Sequence, residues 1–266
     1  MDWLEALILG IIQGLTEFLP VSSSGHLEIG KALLNVEAQE DLTFTVVVHG
    51  ATVLSTLVIF FKEVWILLKG SLKFKWNEET QYVAKIAVSM IPVLFVGVLL
   101  DDFVEGFFGG KIQFVGIMLI CTSFLLSLTW FLRGRLTEGK IGFKSAFIMG
   151  LAQAFAVMPG ISRSGATIAT GILLGRNKKD VAQFSFLMVL VPIIGANLKS
   201  VLEYDSSAVS TGIGSIPLLV GFFAAFISGL IACSWMVNIV KKGKLIWFAV
   251  YCLIVGIIAI SSGFFG

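Results

Sequence analysis

Glu17 stands inside an apolar run, four residues after Gln13, in the stretch GIIQGLTEFLPVSSSGH over residues 10–26. Four residues is about one helical turn, so Gln13 and Glu17 share a face. A carboxylate among apolar residues is costly to hold there and marks a working position. Pro20 breaks the run, and the hydroxyls of Ser22, Ser23 and Ser24, then Gly25 and His26, follow at once. A second stretch, GLAQAFAVMPGISRSGAT over residues 150–167, carries Ser162, Arg163, Ser164, Gly165 and Thr167 after Pro159-Gly160. Serine after such a break is suited to cap a new helix, and free N–H groups at helix starts attract anions. Arg163 adds a planar fork that clamps phosphate oxygens in pairs. These residue types point to anion binding or phosphoryl transfer. With 2 histidines and 3 scattered cysteines, no zinc spacing is present, and a cation shared by Glu17 and phosphate suits hard oxygen ligands. His49, in VVVHGA, either lines the same cavity or packs as a neutral imidazole.

The elements that position these residues are set by composition. The chain has 266 residues, 57% of them hydrophobic and 14% charged, with mean hydropathy +0.96. That balance describes a polytopic membrane protein and leaves no expectation of a nucleic-acid partner. Asp2 and Glu5 replace the basic start of a cleavable signal peptide. Cys121, Cys233 and Cys252 lie in apolar runs and read as packing residues. Six stretches are long and apolar enough to span: 43–61, 83–100, 112–132, 181–201, 216–240 and 245–264. Two more, 3–34 and 145–175, are broken by Pro20 and by Pro159-Gly160, and each reads as a kinked helix or a re-entrant hairpin. Charge favours hairpins. With only the six spans crossing, all but Lys31, Lys111 and Lys199 of the 19 Lys and Arg residues fall on one side. Loop 62–85 is lysine-rich, whereas Asp101, Asp102 and Glu105, then Glu203 and Asp205, mark the opposite side. The positive side is cytoplasmic, which places both termini outside.

An internal repeat organises the chain. An offset of 140 residues lays Gly10 on Gly150, Gln13 on Gln153, Ser22 on Ser162, Ser24 on Ser164 and Gly25 on Gly165. Each half, about 1–134 and 141–266 of a single membrane domain, then holds one hairpin and an odd number of crossings, so the halves are inverted. The expected fold is an all-α polytopic membrane protein, an inverted-topology repeat of six transmembrane helices and two re-entrant helical hairpins whose breaks meet near the midplane.

QGLTEFLPVSSSGH (13–26) and PGISRSGAT (159–167) closely resemble the two signature motifs of the bacterial undecaprenyl pyrophosphate phosphatases of the bacitracin-resistance type. FTVVVHG, QFSFLMVLVPIIGA and the chain length fit as well. The resemblance implies a plasma-membrane hydrolase that converts undecaprenyl pyrophosphate to the monophosphate, recycling the carrier lipid for peptidoglycan. Bacitracin would compete for that lipid rather than bind the protein, and a homodimer is compatible with the glycine-rich spans. A divalent cation, magnesium or calcium, is implied, with Glu17 as its ligand. Motif positions place the catalytic set on Glu17, Ser23, His26 and Arg163. Substrate contacts fall on Gln13, Ser22, Ser24, Gly25, Ser162, Ser164, Gly165 and Thr167. Some members carry glutamate where this chain has Gln13, so Glu17 holds the negative charge alone. Three routes stay open: attack by Ser23 activated by His26 or Glu17, attack by His26 through a phosphohistidine, or attack by water activated by Glu17. The prenyl tail is expected to run past Phe18 and Trp3. A flippase or anion transporter using the same midplane site is the alternative function, and the first hairpin is expected to open to the outer leaflet.

Overall fold

The computed structural model describes residues 1–36, 38–100, 106–107, 111–132, 139–202 and 213–262. Eleven helices are described: α1 (Trp3–Phe18), α2 (Ser23–Leu34), α3 (Ala38–Ile59), α4 (Phe61–Ser71), α5 (Glu78–Leu99), α6 (Ile112–Phe131), α7 (Phe143–Phe155), α8 (Arg163–Leu173), α9 (Lys178–Leu202), α10 (Ser215–Lys241) and α11 (Ile246–Ser262). Among the described residues there is no strand, only an isolated bridge between Gly139 and Arg176. An all-helical chain keeps its backbone polar groups paired without water, as a bilayer demands.

Three helices, α5, α6 and Ser215–Val240 of α10, are long and apolar enough to cross a membrane. Residues Thr43–Ile59 reach that standard only together with Phe61–Ser71, and the axis bends by 77° between them. α11 is apolar but 17 residues long. The structure corrects the reading of 62–85 as a plain loop. Its first part is the helix α4, with Phe61, Trp65, Ile66 and Leu68 exposed and Lys69 Nζ 4.9 Å from the Trp65 ring centroid. Lysines dominated the sequence reading there, but the apolar residues between them leave a helix with exposed aromatic surface. The charges of Asp101, Asp102, Glu105, Arg133, Arg135, Glu203 and Asp205 lie outside the described residues.

Both broken stretches are helical hairpins rather than kinked helices. α1 starts with a capping box between Asp2 and Glu5 and stops where Leu19, before Pro20, turns extended at φ −70° and ψ 143°. Proline disfavours the helical region for its predecessor and has no N–H to continue the ladder. α2 then folds back, so that a Cβ on Gly30 would lie 3.0 Å from Leu9 and 3.3 Å from Ile12. α7 and α8 repeat this form, with Gly171 against Met149. Their turn needs Gly160 at φ +96°, where a side chain would also strike the Val115 carbonyl.

α1 packs along α10, and α7 packs along α5. Small residues permit the first contact: Gly10 lies against Gly221 and Ala224, and Gly14 against Ser228, Ala225 and Gly229. Phe184, Phe186, Met188, Met149 and Leu126 centre the largest buried cluster, between α6, α7 and α9. A Cβ on Gly14 would overlap Ser228 Oγ and the Ala225 carbonyl oxygen. Gly14→Ala is therefore expected to destabilise the fold by about 1–3 kcal/mol. A lower melting midpoint in detergent micelles would show it, and an unchanged midpoint would contradict the close packing.

Candidate active site

The site is built where the two hairpin turns meet. At the first turn Ser22 is the N-cap of α2, its hydroxyl accepting from the Gly25 N–H at 3.3 Å. At the second, Ser162 caps α8 and accepts from the Gly165 N–H at 3.0 Å. The turns interlock: a Cβ on Gly25 would sit 3.1 Å from Gly160 Cα, and one on Gly165 would sit 3.2 Å from Pro20 Cβ. The Ser164 hydroxyl donates to the Leu19 carbonyl at 3.3 Å, tying the second motif to the first turn. Thr122 on α6 braces the second turn. Its hydroxyl donates to the Gly160 carbonyl and accepts from the Ser162 N–H, each at 3.1 Å. Two helix N-termini thus converge, each with first-turn N–H groups that have no intrahelical acceptor.

Glu17 lies at the centre with its side chain 6% exposed. Its Oε2 accepts from Gln13 Nε2 at 2.9 Å and from the Ser23 hydroxyl at 2.5 Å. Its Oε1 pairs with Arg163 Nη2 at 3.2 Å, an ion pair between α1 and α8. His49 on α3 brings Nε2 to 3.9 Å from Oε2, while its Nδ1 is 2.8 Å from the Thr45 carbonyl, which fixes the proton on Nδ1. Lone carboxylates are expensive to bury, and this one is matched by three donors, Gln13, Ser23 and the cationic Arg163.

Beside it lies a narrow cavity with room for about one water, roughly 20 Å³. Glu17, Arg163, Ser164, Thr52 and Thr56 supply its polar lining. Phe18, Phe186, Val189, Leu190 and Ile193 supply its apolar lining. Trp3 is exposed at the far end of α1 and does not line it.

The candidate residues therefore divide. Gln13, Glu17, Ser23 and Arg163 share one hydrogen-bonded cluster. Ser22, Gly25, Ser162 and Gly165 form the two caps, and Ser24 and Ser164 each lie 3.3 Å from the cap hydroxyl of their own turn. His26 is engaged elsewhere, between the Ser22 carbonyl and the Tyr251 hydroxyl. Thr167 bonds Ser185 on α9 at 2.6 Å, and both are fully buried. Sequence reasoning had flagged His49 without a partner, and it missed Thr122, Thr52, Thr56 and Tyr251. An intramembrane ionisable group was the signal for His49. The others carry no local mark.

Together these features define a multi-pass helical membrane protein with a buried acid–base–hydroxyl cluster at paired helix starts. Comparison with known proteins gives the family. The family described as "Bacitracin resistance protein BacA" matches residues 6–258. Undecaprenyl-diphosphatase of Bacteroides thetaiotaomicron is 57% identical over 263 residues, covering 98% of this chain and 99% of that protein. The undecaprenyl-diphosphatase of Christiangramia forsetii is 53% identical, covering 98% of each chain. That of Oceanobacillus iheyensis is 38% identical over 95% of this chain and 94% of the relative. The chain belongs to the BacA bacitracin-resistance family.

The Glu17–Arg163 pair generates a stability prediction. Removing one partner of a buried pair leaves the other unmatched, at a cost of about 3–5 kcal/mol in full burial. Arg163 is 26% exposed, so Arg163→Leu is expected to cost about half of that. Thermal unfolding should show Glu17→Gln/Arg163→Leu recovering part of the loss. Equal loss in single and double variants would mean the carboxylate does not depend on Arg163.

Proposed function

We propose that this protein hydrolyses undecaprenyl diphosphate to undecaprenyl phosphate and inorganic phosphate, returning the lipid carrier to peptidoglycan and envelope synthesis. The family and the names of relatives at 53–57% identity support the substrate. The observation that carries the reaction is the 2.5 Å bond from the Ser23 hydroxyl to Glu17, beside Arg163 and the N-termini of α2 and α8.

In this reading Arg163 and the first-turn N–H groups hold the diphosphate oxygens and stabilise charge that builds in the transition state. The Ser23 Oγ attacks the terminal phosphorus, and its proton passes to Glu17 Oε2. The bond from that phosphorus to the bridging oxygen breaks, and undecaprenyl phosphate leaves with the electron pair. Glu17 returns its proton to the departing phosphate oxygen. Water then attacks the phosphoserine and gives a proton to the Glu17 carboxylate. The bond from phosphorus to Ser23 Oγ breaks, and that proton passes to Oγ as inorganic phosphate leaves. His26 is the less favoured nucleophile, because both ring nitrogens already have partners. A lining that combines charged and hydroxyl groups with apolar side chains suits a lipid with an anionic head. Its small volume means that the walls part to admit substrate.

The residues suit a hard divalent cation, magnesium or calcium, held jointly with the diphosphate. Gln13 Oε1 is buried without a hydrogen-bond partner, on the amide whose other end bonds Glu17. No group of three or more His, Cys, Asp and Glu side chains comes together among the described residues. Gln13 and Glu17 would therefore supply only part of the coordination, with phosphate oxygens completing it. Such a cation would offset charge on the diphosphate and its leaving group.

We also propose that the halves are inverted repeats with six crossings and two re-entrant hairpins, both termini outside and the site open to the outer leaflet. The pairing of α1 with α10 and of α7 with α5, the interlocked turns and the lysine distribution support this arrangement.

Purified protein supplied with undecaprenyl diphosphate and magnesium is expected to release phosphate. Chelation should abolish release, and added magnesium or calcium should restore it. Ser23→Ala is expected to lower kcat by at least about a hundredfold. Tight lipid binding without phosphate release would instead favour a carrier, and near-normal turnover of Ser23→Ala would remove the serine route.

A further inference from the structure

His26 and Tyr251 make a contact that the chemistry around Glu17 does not use. His26 Nδ1 stands 2.9 Å from the Ser22 carbonyl oxygen, and its Nε2 stands 2.8 Å from the Tyr251 hydroxyl. A carbonyl oxygen only accepts, so Nδ1 carries the proton, and the neutral ring presents its one lone pair at Nε2. The Tyr251 hydroxyl donates to that lone pair. The rings also stack, with centroids 5.5 Å apart and 12° between planes.

The other end of this relay is a strained turn. Ser22 holds φ 71° and ψ 98°, a region that residues with a Cβ rarely adopt. Such a residue persists when its surroundings over-determine it. Here the Ser22 carbonyl accepts from the His26 backbone N–H at 3.1 Å as well as from Nδ1. Its hydroxyl meanwhile accepts from the Gly25 N–H. Ser23 comes next in the chain, so the angle of this turn sets where the Ser23 hydroxyl points.

We propose that Tyr251 is a positioning residue for the reaction, acting through His26 to lock the Ser22 turn and so to aim Ser23 and the first N–H groups of α2. A tyrosine from the last helix thereby braces the motif at the start of the chain, 225 residues away. His26 is the strut of this brace, its lone pair covered by the Tyr251 hydroxyl. The role in turnover rests on the phosphatase reading, whereas the contact itself does not.

The test uses diethyl pyrocarbonate, which acylates an imidazole nitrogen through its free lone pair. Peptide mass mapping reads His26 and His49 separately, because the chain has 2 histidines. Tyr251 is 43% exposed, so Tyr251→Phe keeps the ring and loses only the hydroxyl. In that variant His26 is expected to be acylated several-fold faster than in the wild type, with His49 unchanged. The kcat for phosphate release should fall about two- to tenfold, the range for one hydrogen bond, with KM altered less than about twofold. Tyr251→Leu, lacking ring and hydroxyl, should shift both readouts further. Wild-type acylation of His26 in Tyr251→Phe, or an unchanged kcat, overturns the proposal. A wild-type protein that releases no phosphate overturns the phosphatase reading and the turnover role with it, and the acylation rates still decide the contact.

Discussion

The buried carboxylate of Glu17 and its ion pair with Arg163 are the constraint around which the rest of the structure is arranged. Pairs of this kind add little net stability, since desolvating both charges offsets most of their attraction. Their effect here is on geometry. Glu17 ends α1 and Arg163 begins α8, so satisfying the pair requires two hairpins from opposite halves of the chain to bring their breaks together. Once they meet, the starts of α2 and α8 face one region beside the ion pair. Gln13, Ser23 and His49 complete the surroundings of the carboxylate.

Small residues make this approach possible. Gly160 takes a backbone conformation that a side chain resists, and Gly25 and Gly165 let the turns touch. Serines at both caps meet the N–H groups that would otherwise be unpaired, and Thr122 ties the second turn to α6. The two turns are not equivalent. Gly160 relieves the strain in the second, whereas the first keeps Ser22 at positive φ and is held from outside by His26 and Tyr251. The turn that carries the Ser23 hydroxyl is thus the one held under strain.

Much of this was legible in the residues. Pro20 and Pro159-Gly160 announced the breaks, the serines announced the caps, and the shared offset made it natural to expect Glu17 near Arg163. Those signals are local or repeated, so they survive in one dimension. Facing is not: Thr167 belongs to the same motif as Arg163 yet turns to Ser185, and His26 turns to Tyr251. Both partners lie on other helices with no sequence mark. His49 was visible as an ionisable group in an apolar run, but its approach to Glu17 depends on how α3 packs. The bend between α3 and α4 was hidden because alternating lysines and aromatics look like a charged loop until a helix sorts them. Gln153 matches Gln13 in the repeat and is fully buried, yet neither amide atom has a partner among the described residues. Sequence similarity between the halves therefore did not carry the chemistry across.

The central claim is that the hydroxyl held by Glu17 receives the phosphoryl group between the two helix starts. Undecaprenyl diphosphate radiolabelled at the terminal phosphorus, mixed with stoichiometric protein and quenched in acid within the first turnover, tests it directly. The expected result is an acid-stable label that maps to the peptide containing Ser23. An acid-labile label on His26, or full phosphate release with no labelled protein at any time, would contradict the claim.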